Sequence, residues 1–395
     1  MSASEVEVSS SILCICSFCN AVSTADRDGA AAKTRDSITD SLATAMLAMV
    51  EDGADCPPYR ELRTSFLWAV LPVNKDAEPP RELSAGLRWL RSRSRPLSAL
   101  AVPEITRRVV RRLALTLDDK PAASDTYNRH RRGLNTAVEY AVELGELPQN
   151  PLKGVKDKRI AKQEEVDPRV VVTHGQAREL LAALSYVGSY HRARGRRLVA
   201  FFATLYYAGL RLAEAIALRE IDCHLPDEGW GRLTLVKTLP VTSKKWTDHG
   251  ERHDPRGLKQ RAAYSARIVP IPPSLVAILM GHLKEFGAAD DGRLFRNERG
   301  GILGASTYSR AWEEARQLAL TPAQAQSPLA GRPYDLRHAA LSTWLNAGVS
   351  PADVAKRAGN SVEVLLKRYA GCLDGQEDNI NRRIERTLEE GDGGK

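Results

Sequence analysis

Arg211 stands at a break between two helical patterns, where an arginine can bind an anion. Gly209 interrupts the apolar run Leu198–Leu210, and the next helical pattern starts near Arg211. A cation in the first turn of a helix opposes the helix dipole, unless free backbone N–H groups and the guanidinium converge on one oxyanion. Glu214, three residues later, can hold that guanidinium in place. The alternative is a surface Arg–Glu pair.

A second arginine, Arg337, also lies near an expected helix start. Asp335 is a candidate N-cap, so Arg337 and His338 fall in the first turn of the helix that follows. Tyr369 closes a later helix, seven residues after Val362, on the apolar stripe of that helix. A tyrosine hydroxyl can act as a nucleophile, and the alternative is a tyrosine packed in the core.

The sequence from Thr173 to the C-terminus resembles the tyrosine recombinases, the phage-integrase family. It carries Gly-Leu-Arg211, Leu-Arg337-His, Ala-Gly-Val-Ser350 and Tyr369 in that family's order. Several motifs in the right order are a far more specific signal than any one of them. The resemblance implies that Arg211 and Arg337 are the two arginines of the family's active site. It also implies that His338 is the residue that commonly follows the second arginine, and that Tyr369 is the nucleophile.

Two positions depart from the family's pattern. Tyr334 stands where the first His of His-x-x-Arg is expected, and Asn360 stands at the His or Trp position before the nucleophile. A phenol or an amide can donate a hydrogen bond to a phosphate oxygen, but neither is a base near neutral pH. We therefore expect weaker acid–base assistance at both positions.

The family also places a lysine in a β-hairpin, and its identity here is the least specific part of the resemblance. We assign it to Lys259, shortly before the strand-like segment Arg267–Ile271. Lys237, Lys244 and Lys245 are competitors, and a solvated loop lysine is the alternative for most of them.

The resemblance implies phosphoryl transfer without a cofactor, a metal ion or ATP. Tyr369 would attack a DNA phosphodiester, giving a 3′-phosphotyrosine and a free 5′-hydroxyl. Arg211 and Arg337 would neutralise the oxygens where charge builds, and Lys259 would protonate the leaving oxygen. The implied partners are double-stranded DNA, three further copies of the chain on two duplexes, and accessory DNA-bending proteins.

Two other functions remain open at the level of sequence. The first is a DNA-binding relative that has lost catalysis, which Tyr334 and Asn360 favour. The second is an enzyme like a type IB topoisomerase, which uses similar chemistry as a monomer. The tail residues Ile380, Ile384 and Leu388 repeat at helical spacing, and the family tends to dock this segment on a neighbouring copy. Such a stripe disfavours the monomeric enzyme.

The elements that must position these residues form a mainly α-helical chain with a small β-sheet. Residues 1–33 are rich in small polar residues and are predicted to be a poorly ordered tail. Residues 34–155 are predicted to be a helical core-binding domain, residues 156–171 a basic linker, and residues 172–395 an α+β catalytic domain with a tail helix. A capping box at Thr173 and Gln176 opens the last of these.

Two helices of the first domain carry clustered arginines. A helix with arginines on one face suits a phosphate backbone, and a solvated helix face is the alternative. The predicted helices are Pro103–Leu117 and Ser124–Leu144, and the DNA-binding residues assigned to them are Arg107, Arg108, Arg111, Arg129, Arg131 and Arg132.

Composition agrees with a soluble protein that binds a polyanion. The chain has 395 residues, a formal net charge of +8 and a pI of about 9.2. Lysine and arginine gain free energy by displacing counterions from phosphate. No apolar run reaches the ~20 residues that a membrane span needs, so no membrane partner is expected. Cys14, Cys16 and Cys19 cluster without a matching second pair, which favours reduced thiols in a cytoplasm over a zinc site.

Overall fold

The computed structural model describes residues 31–51, 53–74, 77–155, 165–188, 193–258, 266–372, 381–382 and 385. The chain divides into two compact units. The first comprises residues up to Lys162 together with Val241–Asp254, and the second comprises Gln163–Pro240 and Pro255 onward.

The first unit is helical. Its helices are α1 (Ala32–Met49), α2 (Tyr59–Ala69), α3 (Ser84–Arg93), α4 (Pro103–Leu113) and α5 (Ser124–Glu143). α1 is the central helix, because it packs against α2, α4 and α5 and buries residues on nearly every side. Ala, Ser and Thr fill much of α1, which lets neighbouring backbones approach. The arginine-bearing helix predicted to reach Leu117 ends at Leu113, because the chain turns through Thr116 and Lys120.

The segment Val241–Asp254 belongs to the first unit although it lies within the sequence of the second. Trp246 packs with Ala32 and Leu71, and Asp248 accepts a hydrogen bond from Nη1 of Arg35 at 2.9 Å. This excursion separates the two strands of a short hairpin in the second unit.

The second unit is α+β. Its helices are α6 (His174–Leu184), α7 (Ala193–Tyr207), α8 (Leu212–Ala217), α9 (Pro273–Phe286), α10 (Ala305–Ala319), α11 (Pro322–Gln326), α12 (Asp335–Asn346), α13 (Pro351–Ala358) and α14 (Val362–Tyr369). The predicted capping box opens α6, where Thr173 accepts from the N–H of Gln176 and the Gln176 side chain accepts in return.

Two small antiparallel sheets complete this unit. Strands β1 (Cys223–His224), β2 (Gly231–Leu235) and β5 (Arg267–Ile271) form one, in the order β1-β2-β5. Strands β3 (Lys237–Thr238) and β4 (Arg256–Gly257) form the other. Along β2 and β5 buried and more exposed residues alternate, as expected when one face of a sheet covers a core.

α7 forms the centre of the second unit's core. Phe201 and Phe202 are fully buried there, and the Phe202 ring stacks on Trp312 of α10 with 4.8 Å between centroids. α12 packs across the same helix and so fixes its own first turn near the end of α7. Among the described residues, no helix combines the length and apolar character that crossing a membrane requires.

The linker predicted over residues 156–171 is partly packed. Val166 is buried, and its N–H donates to the carbonyl oxygen of Arg368 at 2.7 Å. This contact joins the chain entering the second unit to the helix that ends at Tyr369. Val166 stands alone among charged residues, so no hydrophobic period in the sequence predicts that it is buried.

Phe202→Ala should lower the free energy of unfolding by about 3–5 kcal/mol, because it leaves a cavity beneath Trp312. Leu318→Ala, on the exposed side of α10, is the matched control and should change stability by less than about 0.5 kcal/mol. Denaturant titration of both variants checks this. Equal effects would mean that α7 is not the centre of the core.

Candidate active site

Arg211 lies at the N-cap of α8, as the break at Gly209 predicts. Gly209 has a φ of 58°, a left-handed conformation that favours glycine, and it turns the chain between α7 and α8. Nη2 of Arg211 donates to the carbonyl oxygen of Gly359 at 2.6 Å and to Oδ1 of Asn360 at 2.7 Å. The guanidinium is half-buried, so it is oriented but still accessible to a ligand.

Arg337 points into the same region from α12. Its guanidinium donates to the carbonyl oxygens of Gly209 and Ala358, and it reaches Oδ1 of Asn360 at 3.4 Å. The side chain is 1% exposed, and burial lowers the pKa of the guanidinium. Carbonyl dipoles compensate part of this burial without neutralising the charge.

Glu214 holds Arg211 from below, as its position three residues later predicts. One carboxylate oxygen accepts from Nη1 of Arg211 and the other from the backbone N–H of Arg211, each at 2.8 Å. Burial raises the pKa of this carboxyl, but the guanidinium groups of Arg267, Arg211 and Arg337 lower it by more than burial raises it. The pKa of Glu214 therefore lies below its usual range. Glu214 is therefore a buried anion at neutral pH.

Arg267, which the sequence did not single out, supplies the second ion pair of Glu214. Its Nη1 and Nη2 donate to the two carboxylate oxygens at 3.0 Å and 2.7 Å. Both side chains are 2% exposed. The arginine opens β5, 53 residues after its partner, so no local spacing rule could have paired them.

Tyr369 ends α14 with its ring in the core, beside Leu365 and Val354. Its hydroxyl oxygen lies 2.8 Å from Nδ1 of His338. Burial raises the pKa of the phenol well above its usual range, and Arg337 opposes that rise only in part. Burial, with the nearby guanidinium groups of Arg368, Arg332 and Arg337, lowers the pKa of His338 to about 4. The histidine is therefore neutral at pH 7.

The start of α12 differs from the prediction. Tyr334, not Asp335, occupies the N-cap, and its side chain caps nothing. The Asp335 carboxylate instead accepts from the backbone N–H of Arg332 at 2.8 Å, which ties down the preceding turn. The Tyr334 ring meets the His338 ring edge-on, with 5.1 Å between centroids. Tyr334, which stands where the resemblance places a histidine, thus contacts the histidine that is hydrogen-bonded to Tyr369.

Asn360 bridges the two predicted active-site arginines. Its amide oxygen accepts from Nη2 of both Arg211 and Arg337. Gly359 before it ends α13 with a φ of 65°, and a Cβ there would meet Nη1 of Arg267 at 2.0 Å. A glycine is required because the guanidinium groups and this turn share one small volume.

Lys259, the predicted hairpin lysine, lies outside the described residues. Of its competitors, Lys244 and Lys245 lie in the excursion of the first unit, whereas Lys237 lies on β3. The chain just after β3 pairs with α8, since the N–H of Leu239 donates to the carbonyl oxygen of Ala213 at 2.9 Å. Lys237 is thus the described competitor on the element that contacts the Arg211 helix.

The arginines predicted to bind DNA occupy different environments. Arg107 and Arg111 are exposed on α4, and Arg132 is exposed on α5. Arg108 and Arg131 donate to the carbonyl oxygens of Val50 and Leu152. Arg129 pairs with Asp40, which also contacts Arg63 and His130.

These arginines thus separate into two groups by their partners. Arg112, the fourth arginine of α4, is buried and pairs with Asp119. Arg107, Arg111 and Arg132 are exposed and form no ion pair with an acidic side chain among the described residues, whereas Arg129 shares a carboxylate with a second arginine. The exposed arginines are the better suited to phosphate.

Among the described residues, no group of His, Cys, Asp and Glu side chains has an arrangement that could hold a metal ion. Cys14, Cys16 and Cys19 lie outside them. The described cysteines are Cys56, Cys223 and Cys372.

His338→Gln should remove a pH dependence of stability. A histidine whose folded-state pKa is about 4, against 6.5 when unfolded, adds stability that is complete above pH 6.5 and is lost as pH falls toward 4. Between pH 7 and pH 5 the wild-type chain should therefore lose on the order of 2 kcal/mol more unfolding free energy than the variant. Parallel pH-dependent denaturant titrations measure the difference, and identical curves would contradict the buried neutral state.

Three solved structures align with the chain over most of its length. The integrase of the Tn1549 transposon in complex with a circular intermediate DNA has a TM-score of 0.54 at 16% identity, covering 82% of this chain and 98% of that chain. The same integrase in complex with transposon right end DNA has a TM-score of 0.52 at 18% identity, again over 82% and 98%. The XerH site-specific recombinase bound to palindromic difH substrate has a TM-score of 0.49 at 10% identity, over 88% and 94%.

No protein-family model and no curated protein matches the chain. At this identity the similarity to the Tn1549 integrase concerns the fold. The predicted fold class, mainly α-helical with a small β-sheet and an α+β unit after a helical one, is confirmed. The chain therefore has the fold of the Tn1549 integrase, in agreement with the resemblance of its motifs to the tyrosine recombinases.

Proposed function

We propose that the chain is a site-specific DNA recombinase or integrase that cleaves and rejoins DNA through a 3′-phosphotyrosine intermediate. The observation that carries the proposal is the convergence of Arg211 and Arg337 on one amide oxygen, that of Asn360. These arginines come from helices more than a hundred residues apart in sequence. Two guanidinium groups aimed at one oxygen also suit the non-bridging oxygens of a phosphodiester.

Tyr369 is the proposed nucleophile. Its oxygen would form a bond to phosphorus while the bond from phosphorus to the 5′-oxygen breaks. Nδ1 of His338 lies 2.8 Å from the hydroxyl oxygen, and this histidine is neutral at pH 7. With its own proton on Nε2 it would take the phenol proton during attack, so this contact must be kept or formed again once Tyr369 has moved. The leaving 5′-oxygen would take a proton from the hairpin lysine, assigned to Lys259 with Lys237 as the described competitor.

The nucleophile is 1% exposed, so cleavage requires Tyr369 to move out of this position. Its helix α14 is short, and three of its apolar side chains, Val362, Val364 and Leu366, are exposed. We infer that this position is the resting one, in which the hydroxyl is hydrogen-bonded and kept from water. DNA would then be cut only after α14 has shifted.

DNA is the proposed substrate and partner. The two Tn1549 integrase structures contain circular intermediate DNA and transposon right end DNA. The net charge of +8 and the exposed arginines of α4 and α5 support the same partner here. Assembly of four copies on two duplexes, accessory DNA-bending proteins and a cytoplasmic location belong to the same proposal. The tail stripe Ile380, Ile384 and Leu388, on which assembly would depend, lies outside the described residues.

A catalytically inactive DNA-binding relative is the second candidate function. Tyr334 and Asn360 favour it, because neither side chain can act as a base near neutral pH. The proposed proton acceptor, His338, is a different residue and is present. The two candidates are separated by a covalent adduct on DNA, which the inactive relative cannot form.

Tyr369→Phe should abolish the covalent adduct while leaving DNA affinity within about threefold, because one hydroxyl is lost and the packed ring is kept. The measurement is adduct formation on a nicked suicide substrate by denaturing gel, with affinity from gel shift. A wild-type chain without adduct would indicate the inactive relative. An adduct in the variant would exclude Tyr369 as the nucleophile.

Asn360→His should keep or raise the rate of adduct formation, because it restores the residue type that the resemblance places there. An imidazole can still accept from Arg211 through one nitrogen and donate to a phosphate oxygen through the other. Single-turnover cleavage of the same substrate tests this, with thermal unfolding as the folding control. A loss of more than about tenfold in a folded variant would show that the site depends on the amide bridge.

A further inference from the structure

Arg267 takes no part in the proposed steps and belongs to none of the motifs. It is nevertheless a deeply buried charge beside the candidate site. Its side chain is 2% exposed and makes both of its ion-pair hydrogen bonds to Glu214. Its Nε has no hydrogen-bond partner among the described residues. Burying a cation with an unsatisfied donor is unfavourable, so its presence calls for a compensating role.

We propose that Arg267 is a positioning residue that neutralises Glu214 and so leaves the charge of Arg211 free for an oxyanion. The inference rests on the proposed function and concerns the reaction's charge balance. Glu214 accepts from both arginines, and its Oε1 accepts from Nη1 of Arg211 and from Nη1 of Arg267. With a single arginine, the carboxylate and Arg211 would form a closed ion pair with no net charge to offer.

The net charge of the cluster gives the reason. Arg211 and Arg267 pair with Glu214, and the Arg337 guanidinium is close enough to lower the pKa of that carboxyl. Glu214 is the one anion among the described side chains of this cluster, which therefore carries two positive charges. A phosphodiester carries one negative charge, and attack by a tyrosine oxygen gives a pentacoordinate state with two. The cluster with Arg267 matches the transition state, whereas without Arg267 it matches the ground state.

Geometry supports the same role. Arg267 lies beneath the turn that ends α13, where a Cβ on Gly359 would meet its Nη1 at 2.0 Å and Nη1 of Arg211 at 3.2 Å. The two guanidinium groups therefore lie against the same turn and share one carboxylate. The hydrogen bonds of Arg267 go to Glu214, so it acts through Glu214 and not by contact with the substrate.

The test uses two substitutions that separate charge from shape. Arg267→Gln removes the cation and keeps a donor for Glu214, and should lower single-turnover cleavage of the nicked substrate by about 100-fold with DNA affinity within about threefold. Arg267→Lys keeps the cation and should stay within about tenfold of wild type. A wild-type rate in Arg267→Gln, or equal losses in both variants, would overturn the proposal.

The double variant Arg267→Gln with Glu214→Gln makes the decisive comparison. It removes one cation and one anion together, so the cluster again carries two positive charges, from Arg211 and Arg337. Cleavage should recover at least about tenfold relative to Arg267→Gln alone. A purely structural role predicts the opposite, since two buried partners are lost, and a double variant no faster than the single one would exclude the charge role.

Arg293→Gln is the matched control. Arg293 is also a buried arginine paired with one carboxylate, that of Asp291, and belongs to no part of the candidate site. Its substitution should leave the cleavage rate at the wild-type level. A comparable loss in this control would show that any buried arginine of the second unit has the same effect, which would overturn the proposal.

A readout that needs no cleavage separates this inference from the proposed function. Inorganic phosphate should bind the wild-type chain and Arg267→Lys with similar affinity, and Arg267→Gln at least about tenfold more weakly, by isothermal titration calorimetry. If wild type forms no covalent adduct but this order of affinities holds, the proposed reaction fails and the role of Arg267 stands. If the adduct forms but phosphate affinity and cleavage rate are unchanged in Arg267→Gln, the proposed reaction stands and the role of Arg267 fails.

Discussion

The buried carboxylate of Glu214 is the charge on which the arrangement of the candidate site depends. It fixes the backbone of Arg211 through one N–H, orients the guanidinium of the same residue, and binds Arg267 across the cluster. A buried carboxylate without partners would be protonated or would destabilise the fold. Here three guanidinium groups lower its pKa against the effect of burial. The anion and its cations therefore stabilise each other. Removing Glu214 would leave Arg267 buried without a carboxylate partner, whereas removing one arginine leaves the carboxylate paired with the other.

Backbone carbonyl groups do for Arg337 what Glu214 does for Arg211. The carbonyl oxygens of Gly209 and Ala358 accept from its guanidinium, and they come from the ends of two different helices. A carbonyl dipole orients a cation and leaves its full charge in place, whereas a carboxylate cancels that charge. The turns at Gly209 and Gly359, both left-handed, bring those helix ends together. The left-handed conformations of these two glycines thus help to position the buried guanidinium of Arg337.

Local rules predicted much of the fold and part of the site. The 3.6-residue period gave most helices of both units, and the break at Gly209 gave the start of α8, because both depend on neighbours in sequence. The pair of Arg211 and Glu214 was predictable for the same reason. The N-cap of α12 was not, because Asp335 folds back onto Arg332 and not forward onto the helix.

The contacts that span long separations could not be predicted from spacing. Arg267 meets Glu214 across 53 residues, and His338 meets Tyr369 across 31. In the sequence, Arg267 is a charged residue at the start of a strand-like segment, and nothing local indicates that it is buried. Order along the chain identified Arg211, Arg337 and Tyr369 as a set, but only because that order resembles a known family. The contacts of Arg211 and Arg337 with Asn360, and of Tyr369 with His338, do not depend on that resemblance.

Asn360 connects the two arginines of the candidate site. Its amide oxygen occupies the point where donors from Arg211 and Arg337 meet, at 2.7 Å and 3.4 Å. A phosphate oxygen that bound both arginines would have to share or take over that point. A neutral amide is a weaker acceptor for a guanidinium than a phosphate oxygen is, because the phosphate adds the attraction between opposite charges to the hydrogen bond. The amide can therefore accept from both guanidinium groups while no anion is bound and give way when one binds. An imidazole at the same position would hold one of the two donors at most, through a single nitrogen. Asn360 at this position therefore keeps both guanidinium groups ordered while no anion is bound.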